Sequence, residues 1–179
     1  MKYPCILLFI VFIFIRSVGV AQNDSVLTNQ NDSVWAAVHD RWTAWSEVDA
    51  EGFIGQHHPE WKRWGFSSSG LLEVKDLRNF FDEWQKDERY VSFELSLIDM
   101  EVFDNGFCAV HYLVEARVEW IGEPFTASTG AIVKKGDQTT IRTRWSDFLV
   151  REQGRWLYVG GYRDGNCAIW PGYGKPCKE

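Results

Sequence analysis

Two side chains able to move protons stand near the middle of the chain. His111 lies in the run Phe107-Cys108-Ala109-Val110-His111-Tyr112, and Asp99 interrupts an apolar alternation just before Met100. A histidine in an apolar cavity serves as a general base near neutral pH. A carboxylate in similar surroundings has a raised pKa and can act as acid or base. Tyr112 and Arg144 are the groups that could stabilise the charge such a proton transfer creates, and a guanidinium could also clamp a carboxylate. Each residue also has a plainer reading. His111 is then a satisfied strand histidine, Asp99 marks a bulge with its side chain in water, and Arg144 pairs with Glu94, Glu115 or Glu119 across strands.

Strand alternation constrains these roles. Successive residues point to opposite faces, so His111 shares a face with Ala109, Leu113, Glu115 and Arg117, whereas Tyr112 goes with Val110 and Val114. Likewise Arg142, Arg144, Ser146 and Phe148 share one face, and Trp145, Asp147 and Leu149 the other. Asp147 is the nearest acid to Arg144, yet a bulge would be needed to turn both inward.

Other motifs carry less. His57, His58 and Glu60 lack the i, i+4 spacing of a helical zinc site, so no metal is expected. Gly65-Phe66-Ser67-Ser68-Ser69-Gly70 lacks the closing glycine and leading strand of a nucleophile elbow and reads as a turn. Among ten tryptophans, Trp61 and Trp64 could line an aromatic pocket; Trp35, Trp42 and Trp45 have the helical spacing of core residues.

The elements that must position these groups follow from hydrophobic period. Trp35, Val38, Trp42, Trp45 and Val48 predict a first helix beginning after Asn31, Asp32 or Ser33. A short helix or turn follows over Glu51 to His58, then a loop through Trp61, Trp64 and Phe66. Val74, Leu77, Phe80, Phe81 and Trp84 predict a second helix over Glu73 to Lys86. From Tyr90 the period becomes two. Strands are predicted over Tyr90 to Phe103, Phe107 to Ile121, Phe125 to Val133, Thr139 to Arg151 and Arg155 to Tyr162, with Asn105-Gly106 as a hairpin signal. Helices followed by antiparallel strands make an α+β order.

With 179 residues, 45% apolar, the chain is one globular domain with short appendages. A net charge of -6 and scattered Lys and Arg exclude a nucleic-acid binder. Residues 1–21 read as a secretory signal: Lys2, an apolar run from Ile6 to Ile15 too short to span a bilayer, and Gly19-Val20-Ala21 before the cut. Residues 22–30 are a flexible lead-in, residues 31–163 the domain, and residues 164–179 a tail rich in Gly and Pro. The expected product is secreted or periplasmic, without a membrane attachment after cleavage. In such a compartment Cys167 and Cys177 can close a disulfide and Cys108 can stay a buried thiol, while a bridge from Cys108 to either tail cysteine stays open.

Three stretches together resemble the SnoaL-like group of the nuclear transport factor 2-like superfamily. They are Glu47-Val48-Asp49-Ala50-Glu51-Gly52-Phe53 with His58-Pro59-Glu60-Trp61, then Phe107 to Tyr112, and Arg144-Trp145-Ser146-Asp147 with Gly154-Arg155-Trp156. Ser146 stands where that group usually has Thr. The resemblance implies a cone-shaped fold in which N-terminal helices pack on a strongly curved, mainly antiparallel sheet and enclose a pocket. It implies a homodimer through the sheet as the common assembly, and it matches Arg144 to an arginine of the group, favouring a pocket-facing side chain.

The expected function is binding of a small, largely apolar molecule with a polar group in an aromatic-lined cone, without a cofactor. Arg144, Tyr112, Trp61, Trp64, Ser146 and Phe148 would hold the ligand. Two alternatives stand beside it: an isomerase, dehydratase or cyclase in which His111 or Asp99 moves the proton, and a noncatalytic dimerising module.

Overall fold

The structure, a computed structural model, describes residues 31–64, 71–127 and 130–164. The predicted signal, lead-in and tail, with Cys167, Cys177 and the Gly65 to Gly70 turn, lie outside them. Helix α1 covers residues 31–46 and buries Val34, Val38, Arg41, Trp42 and Trp45 on one stripe. It ends earlier than the stripe predicts. The N–H of Asp49 donates to the Ala44 carbonyl and that of Val48 to Trp45, a Schellman closure in which Val48 takes φ 60°. Val48 is therefore exposed rather than the last member of the stripe.

The chain reverses at once, because the Asp49 carboxylate accepts from the Gly52 N–H and caps α2, Ala50–Ile54. That reversal lays Phe53 against Trp45, ring centroids 5.1 Å apart. Where a loop was expected, two short strands pair antiparallel: β1, Lys62–Trp64, and β2, Leu71–Glu73. The predicted second helix begins as a 3-10 turn, Val74–Asp76, in which Glu73 and Asp76 cap one another's backbone, and continues as α3, Leu77–Gln85.

Four long strands form the sheet, in the order β3-β4-β7-β8: β3 Glu88–Val102, β4 Phe107–Trp120, β7 Gln138–Glu152 and β8 Arg155–Asp164, all antiparallel. The predicted third strand is instead a small hairpin of β5, Phe125–Thr126, and β6, Ile132–Val133. The inner face carries Val110, Tyr112, Val114, Ala116, Ile141, Leu149 and Tyr158 against the helices. Bulges at Tyr90/Ser92 and Leu97/Asp99 of β3, and beside Phe148/Leu149 where β7 meets β8, increase the local twist and bend the sheet over α1. The first two also break the predicted alternation, leaving Val91 and Leu97 exposed.

Candidate ligand cleft

A cleft opens where the ends of α1 and α3 meet the inner face of the sheet, with roughly 450 Å³ of atom-free space including its mouth. Its walls are aromatic: Trp42 and Trp45 from α1, Phe80 and Trp84 from α3, Tyr90 from β3 and Trp145 from β7. The period of α1 explains the first two, which pack the core and turn their remaining surface to the cavity. Trp42 meets Trp145 edge to face at 5.4 Å, and Trp45 meets Tyr90 at 6.1 Å. The Trp45 indole N–H is buried and makes no hydrogen bond of good geometry among the described residues.

Three arginines, Arg41, Arg63 and Arg163, join these rings in lining the cleft. Their guanidinium carbons stand 5.4, 4.9 and 5.6 Å from the Trp145 ring. Arg163 is opposite Trp145 in the β7-β8 register, so strand pairing alone brings it there; Arg63 arrives on β1.

Arg41 is the buried one. Its Nη2 donates to Asp147 Oδ2 at 2.8 Å and to the Tyr112 hydroxyl at 3.0 Å, and its guanidinium covers the Tyr158 ring at 4.1 Å. Tyr112 donates to the same Asp147 oxygen at 2.5 Å and accepts from Trp42 Nε1 at 3.1 Å. A buried ion pair offsets its desolvation only when hydrogen bonds complete it, as they do here. Burial, the largest single effect, pulls the Arg41 pKa down, but Asp147, Tyr112 and Tyr158 together outweigh it and the net direction is up. Burial first, and Asp147 second, raise Tyr112 well above the ordinary phenol range. Room for the Asp147 carboxylate comes from Gly161 across the strand, where a Cβ would stand 2.3 Å from Oδ1.

Arg63 and Arg163 behave differently. Burial, then the like charges of Arg41 and Arg163, press Arg63 down to about 10, and burial lowers Arg163 against the opposing effect of Tyr90 and Glu88. Arg63 thus stays charged at neutral pH. No carboxylate lines the cleft among the described residues. The site is an aromatic slot with a cationic end, suited to an apolar body bearing a polar or negative group.

The residues singled out by sequence do not assemble there. Arg144, expected in the pocket, is exposed on the opposite face of β7, in register with outward-facing Leu113 of β4. The inward set is the other one, because α1 covers the face that carries Trp145 and Asp147. Ser146 and His111 share Arg144's side and join each other, Ser146 Oγ to His111 Nδ1 at 2.8 Å. Phe148, also on that side, stacks on Phe107 at 6.0 Å. Asp99 is exposed at the β3 bulge and accepts from the Met100 N–H. Tyr112 does point inward, behind Arg41 rather than at the cavity. Trp61 is buried away from the cleft, edge to face with His57 at 5.1 Å, and of Trp64 only the backbone, in β1, is described.

Arg41, Arg63 and Arg163 were missed. Arg41 carries a readable signal, a charge on the apolar stripe of α1 one residue before Trp42; Arg63 and Arg163 carry none, since each is one of many scattered arginines. Among the described residues no three His, Cys, Asp or Glu side chains converge as metal ligands. Cys108 is buried and free, its thiol pushed up to about 11 by burial.

No protein-family model and no curated protein matches the chain. Solved structures do. A scytalone dehydratase-like protein from Novosphingobium aromaticivorans superposes with a TM-score of 0.65 at 11% identity, covering 88% of this chain and 98% of its own. A ketosteroid isomerase-like protein from Erwinia carotovora atroseptica gives 0.60 at 11% identity, over 77% and 96%. The association domain of C. elegans CaMKII gives 0.55 at 14% identity, over 77% and 97%. These likenesses show the fold: an α+β cone of the nuclear transport factor 2-like kind, as the SnoaL-like resemblance implied.

Proposed function

We propose that this chain is an exported binding domain that holds a small, largely apolar molecule by a polar group in the cleft between α1, α3 and the sheet. The observation that supports it is the convergence of Arg41, Arg63 and Arg163 on Trp145 inside an aromatic slot. Native mass spectrometry of protein purified gently from its source tests the reading. An extra mass released on denaturation supports it; a bare protomer mass, with the tryptophan fluorescence unmoved by any small aromatic compound, contradicts it.

A homodimer through the outer face of the sheet is the second part of the proposal. Phe107 stacks on Phe148 there with Phe103 tilted against Phe107, and Tyr162, opposite Ser146, is 64% exposed. An apolar strip of this kind is a common interaction surface, and one neighbour of the same fold is an association domain. Light scattering of Tyr162→Arg against the parent chain is the check, and a parent that is monomeric at high concentration sinks the dimer.

The outer-face positions of His111 and Asp99 give no support to an isomerase, dehydratase or cyclase built on them, since neither touches the cleft.

A further inference from the structure

We propose that the outer face of the sheet takes a second copy of this chain about a two-fold axis parallel to the strands, between β4 and β7, so that Glu115 of each copy meets Arg142 of the other. This rests on the homodimer reading and names the orientation and the pairs that it uses.

The face is graded along its strands. From one end to the other, its central β4-β7 pairs are Phe107–Val150, Ala109–Phe148, His111–Ser146, Leu113–Arg144 and Glu115–Arg142. The first end is apolar, with Phe103 against Phe107. The second is charged: Glu94 stands opposite Glu115, and Arg89 bonds to Glu119. Stacked sheets keep their strands aligned to within about 30°, which leaves two ways to lay this face on itself. An axis across the strands sets the phenylalanines of one copy on the charges of the other and desolvates those charges without a partner, which is costly. An axis along the strands keeps each end over its like. β4 and β7 are the middle strands of the four, so an axis between them covers the most surface, and it lays each β4 residue at the height of its own β7 neighbour in the other copy.

Charge and shape both fit that arrangement. Glu94 and Glu115 are like charges set side by side, which is unfavourable. Arg142 approaches Glu115 only to 4.0 Å, and both side chains are more than half exposed. A second Arg142, from the other copy, offsets the excess of carboxylate. Further along the axis the small Ala109 receives the partner's Phe148 ring, small against large as close packing requires.

Light scattering and sedimentation of charge-swapped chains test the orientation. Glu115→Arg brings two cations together at each contact of its own dimer, and Arg142→Glu two anions. Each is expected to weaken self-association at least about tenfold. Mixed one to one, the two variants complement each other at both contacts, and the mixture is expected to associate to within about threefold of the parent chain. The pairs inside each copy stay mismatched in that mixture, so its recovery reports only contacts between copies. Glu60→Arg, the same change of charge on the exposed loop before β1, leaves association unchanged; circular dichroism checks that every variant is folded. A dimeric parent whose single variants associate as before, or whose mixture does not recover, overturns this orientation while the homodimer stands. A parent that stays monomeric at high concentration overturns both.

Discussion

The Tyr112 hydroxyl donates to Asp147 Oδ2 across β4 and β7 although the strand register sets Asp147 opposite Val110, so the two are diagonal neighbours on the inner face. Diagonal pairs lie within reach of an aromatic side chain, and this one leaves the second direction of the same oxygen to Arg41. One carboxylate thus fixes both a helix and a strand, and it aims Arg41 at the cleft.

Removing that carboxylate strands a buried cation. Asp147→Asn is expected to lower unfolding free energy by about 3–5 kcal/mol, whereas Tyr112→Phe, which keeps the ion pair, costs about 1–2 kcal/mol. Urea denaturation separates the two, and equal losses would show that the phenol rather than the charge organises the site.

Gly161 is required by the same carboxylate. An added Cβ would meet the buried Asp147 Oδ1 at 2.3 Å and the Ser146 backbone carbonyl at 3.0 Å. Gly161→Ala is expected to cost about 1–3 kcal/mol by overpacking. At neighbouring Gly160 a Cβ would find ordinary contact, 3.5 Å from the Lys62 carbonyl, so Gly160→Ala should be well tolerated. Melting temperatures of the two variants give the comparison.

His57 links stability to pH. It is buried against Phe53, Trp61 and Tyr158, and its Nδ1–H donates to the Phe53 carbonyl at 2.9 Å. Burial, then the positive charge of Arg41, lowers its pKa from 6.5 to about 3. The unfolded chain therefore takes up a proton below pH 6.5 that the folded chain refuses until about 3, and stability falls as pH drops through that window. The slope contributed approaches about 1.4 kcal/mol per pH unit. Denaturation between pH 7.5 and 5 should show it in the parent chain and not in His57→Phe; an unchanged slope in the variant would contradict this.

The end of α1 holds an opposite kind of opportunity. Val48 sits at φ 60° with its side chain mostly in water, so a β-branched residue occupies a left-handed position and gains little burial. Val48→Gly should stabilise the chain by about 1 kcal/mol, read from the shift in urea midpoint, and destabilisation would show that Val48 contributes packing.

The architecture was legible because period is a property of consecutive residues. The stripe of α1 and the alternation of the strand residues placed the helices and the long hairpins, and Asn105-Gly106 placed a turn where Gly106 takes φ 78°. The details lost were those set by backbone accidents and distant partners. The β3 bulges shifted Leu97 and Asp99, and pairing with Leu71 to Glu73 made Lys62 to Trp64 a strand. For the site, alternation correctly separated Arg144 from Asp147 but could not say which face α1 would cover. That choice moved the candidate site from Arg144 to Arg41, Arg63 and Arg163, which come together only in three dimensions.

The most direct measurement follows the indole N–H signals of the folded chain by NMR as the compound released from the native protein, or a panel of small aromatic compounds in its place, is added. The account predicts that Trp42, Trp45, Trp84 and Trp145 shift together, while Trp120, beside Phe125 at 4.7 Å, and Trp156, which donates to Ser33 Oγ, stay still. Shifts at Trp120 or Trp156 with the cleft tryptophans unmoved would contradict it.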